Sequence, residues 1–214
     1  MQEDMVKEKV KNTVSAEIGL MEKRGYLMSK RVFDVVVSLF GMLVLLIPML
    51  LLAVLIRLES EGPAFFVQNR MGQNGEVFSM YKLRTMKTTA PAELASREFA
   101  EADQYITRLG RFLRRTSVDE LPQLYNVLRG DMSIVGYRPV CLSEERLNDL
   151  RKQTGVMTMR PGITGLAQVC GRDSVGVEDK VAMDLQYVES CGWRMDLWCL
   201  KETVLTVVSG KGVN

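Results

Sequence analysis

The sequence predicts an α+β fold that is mostly helical. A re-entrant N-terminal membrane helix, of helix-break-helix form at Pro48, joins a small cytoplasmic domain with interfacial amphipathic helices and a short β-hairpin. Three observations carry this. Val35 to Ile56 is a long apolar run without charge. Basic residues lie on both sides of it, which places both flanks on the same, cytoplasmic, face. Downstream, two short strand-like runs bracket Asn74-Gly75, a hairpin turn signal.

Residues 1 to about 28 are charged, with Val6, Val10, Val14, Ile18 and Met21 on one helical stripe and Lys7, Lys9 and Lys11 nearby. A basic helix on a membrane surface, a helix packed on the protein and a loosely ordered tail all fit this pattern. Residues 1–29 are therefore set apart from the membrane helix, residues 30–58, and from residues 59–214.

At ~1.5 Å per residue, the apolar run just reaches across a ~30 Å hydrocarbon layer. It starts too late and runs too long for a signal peptide, and no cleavage site follows it. A soluble helix apolar all round is disfavoured. Pro48 sits mid-run and removes a backbone hydrogen bond, so a bend is expected there. Lys23, Arg24, Lys30 and Arg31 precede the run; Arg57, Arg70, Lys82, Arg84 and Lys87 follow it. A helical hairpin bent at Pro48 satisfies both flanks. Asp34 at the entry is expected to pair with Lys30 or Arg31.

Pro63–Val67 and Val77–Tyr81 read as the two strands. The second runs into Lys82-Leu83-Arg84, whose cations share a face, for phosphate or merely for solvent. Ala90 to Tyr105 reads as a surface helix and loop. Ile106, Leu109, Phe112 and Leu113 interleave with Arg108, Arg111, Arg114 and Arg115, either as a core helix or as one lying on anionic headgroups. Ser133–Gly136 is a short strand, Glu144–Gln153 a polar helix, and Met159–Gln168 a loop able to aim N–H groups at an anion. Glu178–Val208 is helical, broken near Gly192, with Trp193 and Trp198 in an interfacial belt or in a core.

Composition narrows the chemistry. The 214 residues are 47% hydrophobic, enough for one sizeable core. A net charge of +2 implies no nucleic-acid partner. Four cysteines without a C-x-x-C pair, and no histidine, argue against a zinc site and a disulfide framework. The absence of histidine also removes Ser-His and Cys-His catalysis, leaving carboxylate, Lys, Tyr or Cys.

The stretch Thr107 to Pro139 concentrates what remains. Four arginines precede adjacent carboxylates, Asp119 and Glu120, and Pro122 then opens an apolar helical pattern. The helix dipole and the arginines favour carboxylate anions and would equally hold a phosphate. The competing structural reading is a capping box, Ser117-x-x-Glu120 or Thr116-x-x-Asp119.

From about Lys30 onward, the chain resembles a bacterial sugar transferase of the small, monotopic phosphoglycosyl transferase family. The resemblance rests on KRVFDVVVSLFGMLVLLIPMLLLAVLIRLES, YKLRTM, ITRLGRFLRRTSVDELPQLYNVLRGDMSIVG, RP and RPGITGLAQVCGR, in the family's order and spacing. It implies transfer of a sugar 1-phosphate from a UDP-sugar to polyprenyl phosphate, usually undecaprenyl phosphate, releasing UMP. That step begins capsule, O-antigen, exopolysaccharide or glycoprotein glycan assembly at the bacterial inner membrane. Residues 59–214 become a catalytic domain on the cytoplasmic face. By the same resemblance, Asp119 is the nucleophile and Glu120 the ligand of Mg²⁺. Lys82, Arg84, Arg114 and Arg138 are the expected phosphate clamp, with Arg114 and Lys82 foremost.

The chain departs from the family pattern in three places. Ile47 stands where a serine commonly precedes the kink proline. Gly136-Tyr137-Arg138-Pro139 replaces G-P-R-P, and Asp103-Gln104-Tyr105-Ile106-Thr107 replaces D-P-R-I-T. Membrane lipids are expected partners, and oligomeric state stays open, a homodimer included. Two other functions compete: a Mg²⁺-dependent hydrolase of nucleotide sugars or prenyl diphosphates, and a non-catalytic membrane-anchored assembly protein.

Overall fold

A computed structural model describes residues 19–90, 103–171 and 176–209. The tail expectation for residues 1–18 and most of the expected surface helix between Ala90 and Tyr105 lie outside these.

The apolar run folds as helix α1, Arg24–Glu59. It begins before the apolar residues do. It also runs without interruption through Pro48, so the expected helix-break-helix is not seen as a break. One proline costs one backbone bond, and the long helical stretches on either side keep their own bonds.

The sidedness of α1 is inverted relative to a soluble core helix. Lys30, Asp34 and Ser38, four residues apart, are buried on the protein side. Phe40, Leu43, Ile47, Leu50, Leu51 and Val54 face outward. Only 11% of the most apolar stretch is buried, so α1 is not a core helix of this fold. Its length and composition suffice to cross a membrane.

The hairpin forms across the expected turn. Strands β1, Phe65–Met71, and β2, Val77–Leu83, pair antiparallel with Phe66 opposite Lys82 and Arg70 opposite Phe78. Asn74 (φ 56°) and Gly75 (φ 79°) take the left-handed conformations the turn requires. Helix α2, Arg108–Arg115, is followed by a 3₁₀ turn, Val118–Glu120, and then α3, Gln123–Arg129.

The second sheet is small. β3, Ser133–Val135, pairs parallel with β4, Gly162–Thr164, reached through α4, Glu145–Thr154. The glycine-rich segment expected as an anion loop therefore supplies β4 and the start of α5, Leu166–Cys170. Helices α6, Val177–Ser190, and α7, Trp193–Ser209, close the fold, separated near Gly192 as expected.

Two apolar clusters fix α1 to the domain. Phe33 near its start packs on the main core with Val127, Ile134, Tyr187 and Cys199. Ile56 near its end packs with Ala64, Leu83 and Leu113. Between them, Gly41 lies so close to α3 that a Cβ would sit 3.1 Å from Leu124. None of the four cysteines is in a disulfide: Cys141, Cys191 and Cys199 are buried and Cys170 is exposed.

Candidate active site

The carboxylate pair sits where three elements meet. Thr107 Oγ1 caps α2 by accepting from Gly110 N at 2.9 Å. Gly110 is needed for contact: a Cβ there would stand 2.0 Å from the Thr85 carbonyl oxygen. Thr107 N also donates to that carbonyl at 3.0 Å. The α2 helix is thereby laid against the end of β2, and Arg114 Nε donates to Thr85 Oγ1 at 2.9 Å.

Neither capping box forms. Thr116 spends its hydroxyl on the Phe112 carbonyl at 2.9 Å. Ser117 adopts a left-handed φ of 56° and makes no side-chain cap. That turn reverses the chain, and Val118 packs on the Ile56–Leu83–Leu113 cluster. Asp119 and Glu120 are thus presented by an anchored turn whose backbone strain no cap explains.

The two carboxylates differ sharply. Glu120 Oε1 accepts from Lys82 Nζ at 2.7 Å and from Arg138 Nη2 at 2.9 Å. Arg138 and Lys82 hold Glu120 well below the usual carboxylate range, against the opposing effect of burial. Asp119, 8% exposed, feels Lys82, Arg114 and Arg138 through space. Burial wins there: its pKa rises to about 6, with Glu120 adding to the rise.

Of the expected clamp, Lys82, Arg114 and Arg138 converge on the pair. Arg84 does not. Its guanidinium donates to the carbonyls of Ser60 at 2.8 Å and of Glu61, and lies 3.5 Å from that of Ile56, at the C-terminal end of α1. The alternation that ran through β2 ends at Leu83, and the unsatisfied carbonyls of a helix terminus attract a cation. Arg84 is a structural tie. Asp34 likewise accepts from Ile134 N at 3.1 Å, while Lys30 pairs with Asp196 at 2.7 Å.

Sequence reasoning missed four residues. Arg151, 2% exposed, donates to Arg138 O at 2.8 Å and to Asp184 through Nε and Nη2, and lies 5.0 Å from the Tyr137 ring centroid. Tyr137 thus helps seat the arginine that fixes the Arg138 backbone. Thr85 orients Arg114. Arg70 and Gln123, both buried, line a polar recess of about 20 Å³ with Lys82, Arg138, Met80 and Pro139. Extending the first strand to Met71 would have placed Arg70 on the face of Lys82.

Among the described residues no cluster of three or more Asp, Glu, Cys or His side chains forms a metal cage. Mg²⁺ usually takes only one or two carboxylates plus water and substrate phosphates. The adjacent Asp119 and Glu120 fit that mode.

The bacterial sugar transferase family profile matches residues 25–210. The chain is 38% identical over 202 residues to galactosyl transferase CpsE of Streptococcus agalactiae, covering 89% of this chain and 44% of that protein. It is 37% identical over 181 residues to an undecaprenyl-phosphate glucose phosphotransferase of Komagataeibacter xylinus, covering 80% of this chain and 34% of that protein. It is 41% identical over 190 residues to the UDP-glucose:undecaprenyl-phosphate glucose-1-phosphate transferase of Caulobacter vibrioides, covering 85% and 70% respectively. The chain therefore spans less than half the length of the first two relatives. It belongs to the bacterial sugar transferase family.

Proposed function

We propose that the protein transfers a sugar 1-phosphate from a UDP-sugar to undecaprenyl phosphate, releasing UMP, through a covalent aspartyl intermediate. The observation that carries this is the buried Asp119 in a ring of Lys82, Arg114 and Arg138, beside a Glu120 already paired. Relatives named for transfer to undecaprenyl phosphate support the substrates.

The chain's residues act as follows. With a pKa of about 6, Asp119 is mostly ionised at pH 7 while remaining a stronger base than an exposed aspartate. Its oxygen attacks the β-phosphorus; the O–P bond forms as the bond to UMP breaks, and UMP leaves with the electron pair. Lys82, Arg114 and Arg138 stabilise the charge spread over the transferring phosphoryl group. An oxygen of the acceptor phosphate then attacks the same phosphorus and releases Asp119 as carboxylate. Splitting one displacement into two lowers each barrier. Glu120 would hold Mg²⁺, which would supply charge neutralisation of the diphosphate.

The re-entrant topology belongs to the same proposal. The start of α1 is tied to the domain through Arg31, which donates to the Val127 and Leu128 carbonyls, and the end through Ile56 and Arg84. An isolated span would put these anchors on opposite sides of a ~30 Å layer. One domain gripping both ends supports insertion from, and return to, the cytoplasmic face of the inner membrane.

The test is a panel of UDP-sugars assayed for UMP release with Mg²⁺ and undecaprenyl phosphate, with radiolabelled donor to trap the adduct. UMP release, glycolipid product and label on Asp119 are expected. Free sugar phosphate without glycolipid would identify a hydrolase, and no UMP with any donor would refute the transferase reading.

A further inference from the structure

Beside the carboxylate pair lies a cation that the mechanism above does not use. Arg70 is 8% exposed, on the inner face of β1. Its Nη2 donates to Gln68 Oε1 at 2.7 Å, but its buried Nε has no partner. No carboxylate lies within ion-pair distance of it among the described residues. Burial disfavours its charged form and Arg138 opposes it as a like charge, while Cys141, Glu144 and Glu120 offset part of this through space without contacting it as ion pairs. A guanidinium stays protonated regardless, and a buried, unpaired charge is expensive to keep.

The space next to Arg70 says what would offset that cost. The recess is about 20 Å³ and is shared with Lys82, Arg138 and the 2%-exposed Gln123. That is room for one oxygen-sized group, and not for a whole phosphate. Four of its six lining residues, Arg70, Lys82, Gln123 and Arg138, carry N–H donors. Lys82 and Arg138 also hold Glu120, so the recess is continuous with the dyad's own ion pairs. Counting Arg114, four cations face two carboxylates, a surplus that one diphosphate would balance.

We propose that Arg70 is a substrate-binding residue that takes one oxyanion oxygen of a phosphate engaged at the dyad. This rests on the phosphoglycosyl transfer reading. The phosphate is either the donor's diphosphate or the acceptor's phosphate, and a two-step reaction lets the halves be assayed apart.

The experiment compares full-length wild type, Arg70→Met and Arg70→Lys in nanodiscs. The donor arm measures UMP release without acceptor. The acceptor arm measures discharge of the labelled adduct onto undecaprenyl phosphate. Melting temperature is followed with and without UDP and inorganic pyrophosphate. For Arg70→Met we expect a loss of about tenfold or more in one arm, a lost ligand-induced shift, and a ligand-free melting temperature equal to or above wild type. Arg70→Lys, which keeps charge but not the fork, should fall between. The arm that fails names the phosphate.

Unchanged rates in both arms, with an unchanged pyrophosphate shift, would overturn the proposal and leave the recess to a water. So would a ligand-free Arg70→Met that melts lower yet works normally per folded molecule, which marks a structural arginine. If wild type releases no UMP from any donor, the transfer reading fails by itself. The pyrophosphate shift, present in wild type and lost in Arg70→Met, then still decides Arg70.

Discussion

Two buried charge clusters in this molecule are built on opposite principles. At the start of α1, Asp196 accepts from Lys30 at 2.7 Å, Tyr26 at 2.8 Å and Tyr187 at 2.6 Å. Arg31 and Arg160, near by, are spent on the carbonyls ending α3, and Arg160 Nε reaches Gly130 O at 2.8 Å. A cavity of about 90 Å³ lies there, larger than the recess at the dyad, yet its charged groups already have partners. At the dyad, Lys82 and Arg138 share one carboxylate oxygen of Glu120, Asp119 is pushed toward neutrality by burial, and Arg70 Nε has no partner. A cluster closed on itself holds elements together; a cluster left out of balance is shaped for a ligand.

The comparison breaks most severely at Asp119. Asp119→Asn should lower UMP release by at least ~10³-fold and abolish adduct trapping. It should not destabilise the fold. Burial raises this carboxyl from 3.8 to about 6, so its ionised form costs the native state up to ~3 kcal/mol near neutral pH. An equal or higher melting temperature for the inactive variant is expected, and a large drop would assign Asp119 to structure.

Asp196→Asn should do the converse. It strands the buried Lys30 ammonium, a loss on the order of 3–5 kcal/mol, or a melting temperature lower by roughly 10 °C. Turnover per folded molecule should be retained. A stable but inactive Asp196→Asn would erase the distinction between the two clusters.

Acidity sharpens it further. The donor half-reaction should fall about tenfold per pH unit below about pH 6, as Asp119 takes up a proton. The stability contribution of the same group has the opposite sign. A raised folded pKa means extra protons bound by the native state, so that contribution is full below pH 3.8 and is lost as pH rises through 6. Glu120, held low by Arg138 and Lys82, runs the other way: it stabilises at neutral pH and loses that effect as pH falls through its depressed value. Asp119→Asn should flatten the first component between pH 4 and 6, read by denaturant titration across that range.

The smallest effect belongs to Arg84. Arg84→Met removes donors from the end of α1 and should cost about 1–3 kcal/mol, with donor KM unchanged within about twofold. A donor-specific KM defect would return it to the clamp.

Strong local chemistry was what the sequence made legible. Asn74-Gly75 announced the hairpin, and the uncharged run announced α1. The four arginines ahead of Asp119-Glu120 announced a charged centre, and Lys82, Arg114 and Arg138 do converge there. Register and direction were hidden. Arg84 and Lys82 look equivalent by alternation, and only the carbonyls of Ser60 and Glu61 separate them. Arg70 and Arg151 act across pairings of strands and helices that no local spacing encodes. The capping boxes at Thr116 and Ser117 satisfied a local rule that the left-handed Ser117 overrode.

The buried stripe of α1, polar at its start and apolar toward its end, has a practical consequence. Lys30, Asp34, Ser38, Met49 and Ile56 are buried against the rest of the chain. Cutting the gene after residue 60, in the hope of a detergent-free fragment, would strip Ile56 from Leu83 and Leu113 and leave Asp196 without Lys30. Such a truncation should yield aggregates, because the greasy rod is as much keystone as anchor.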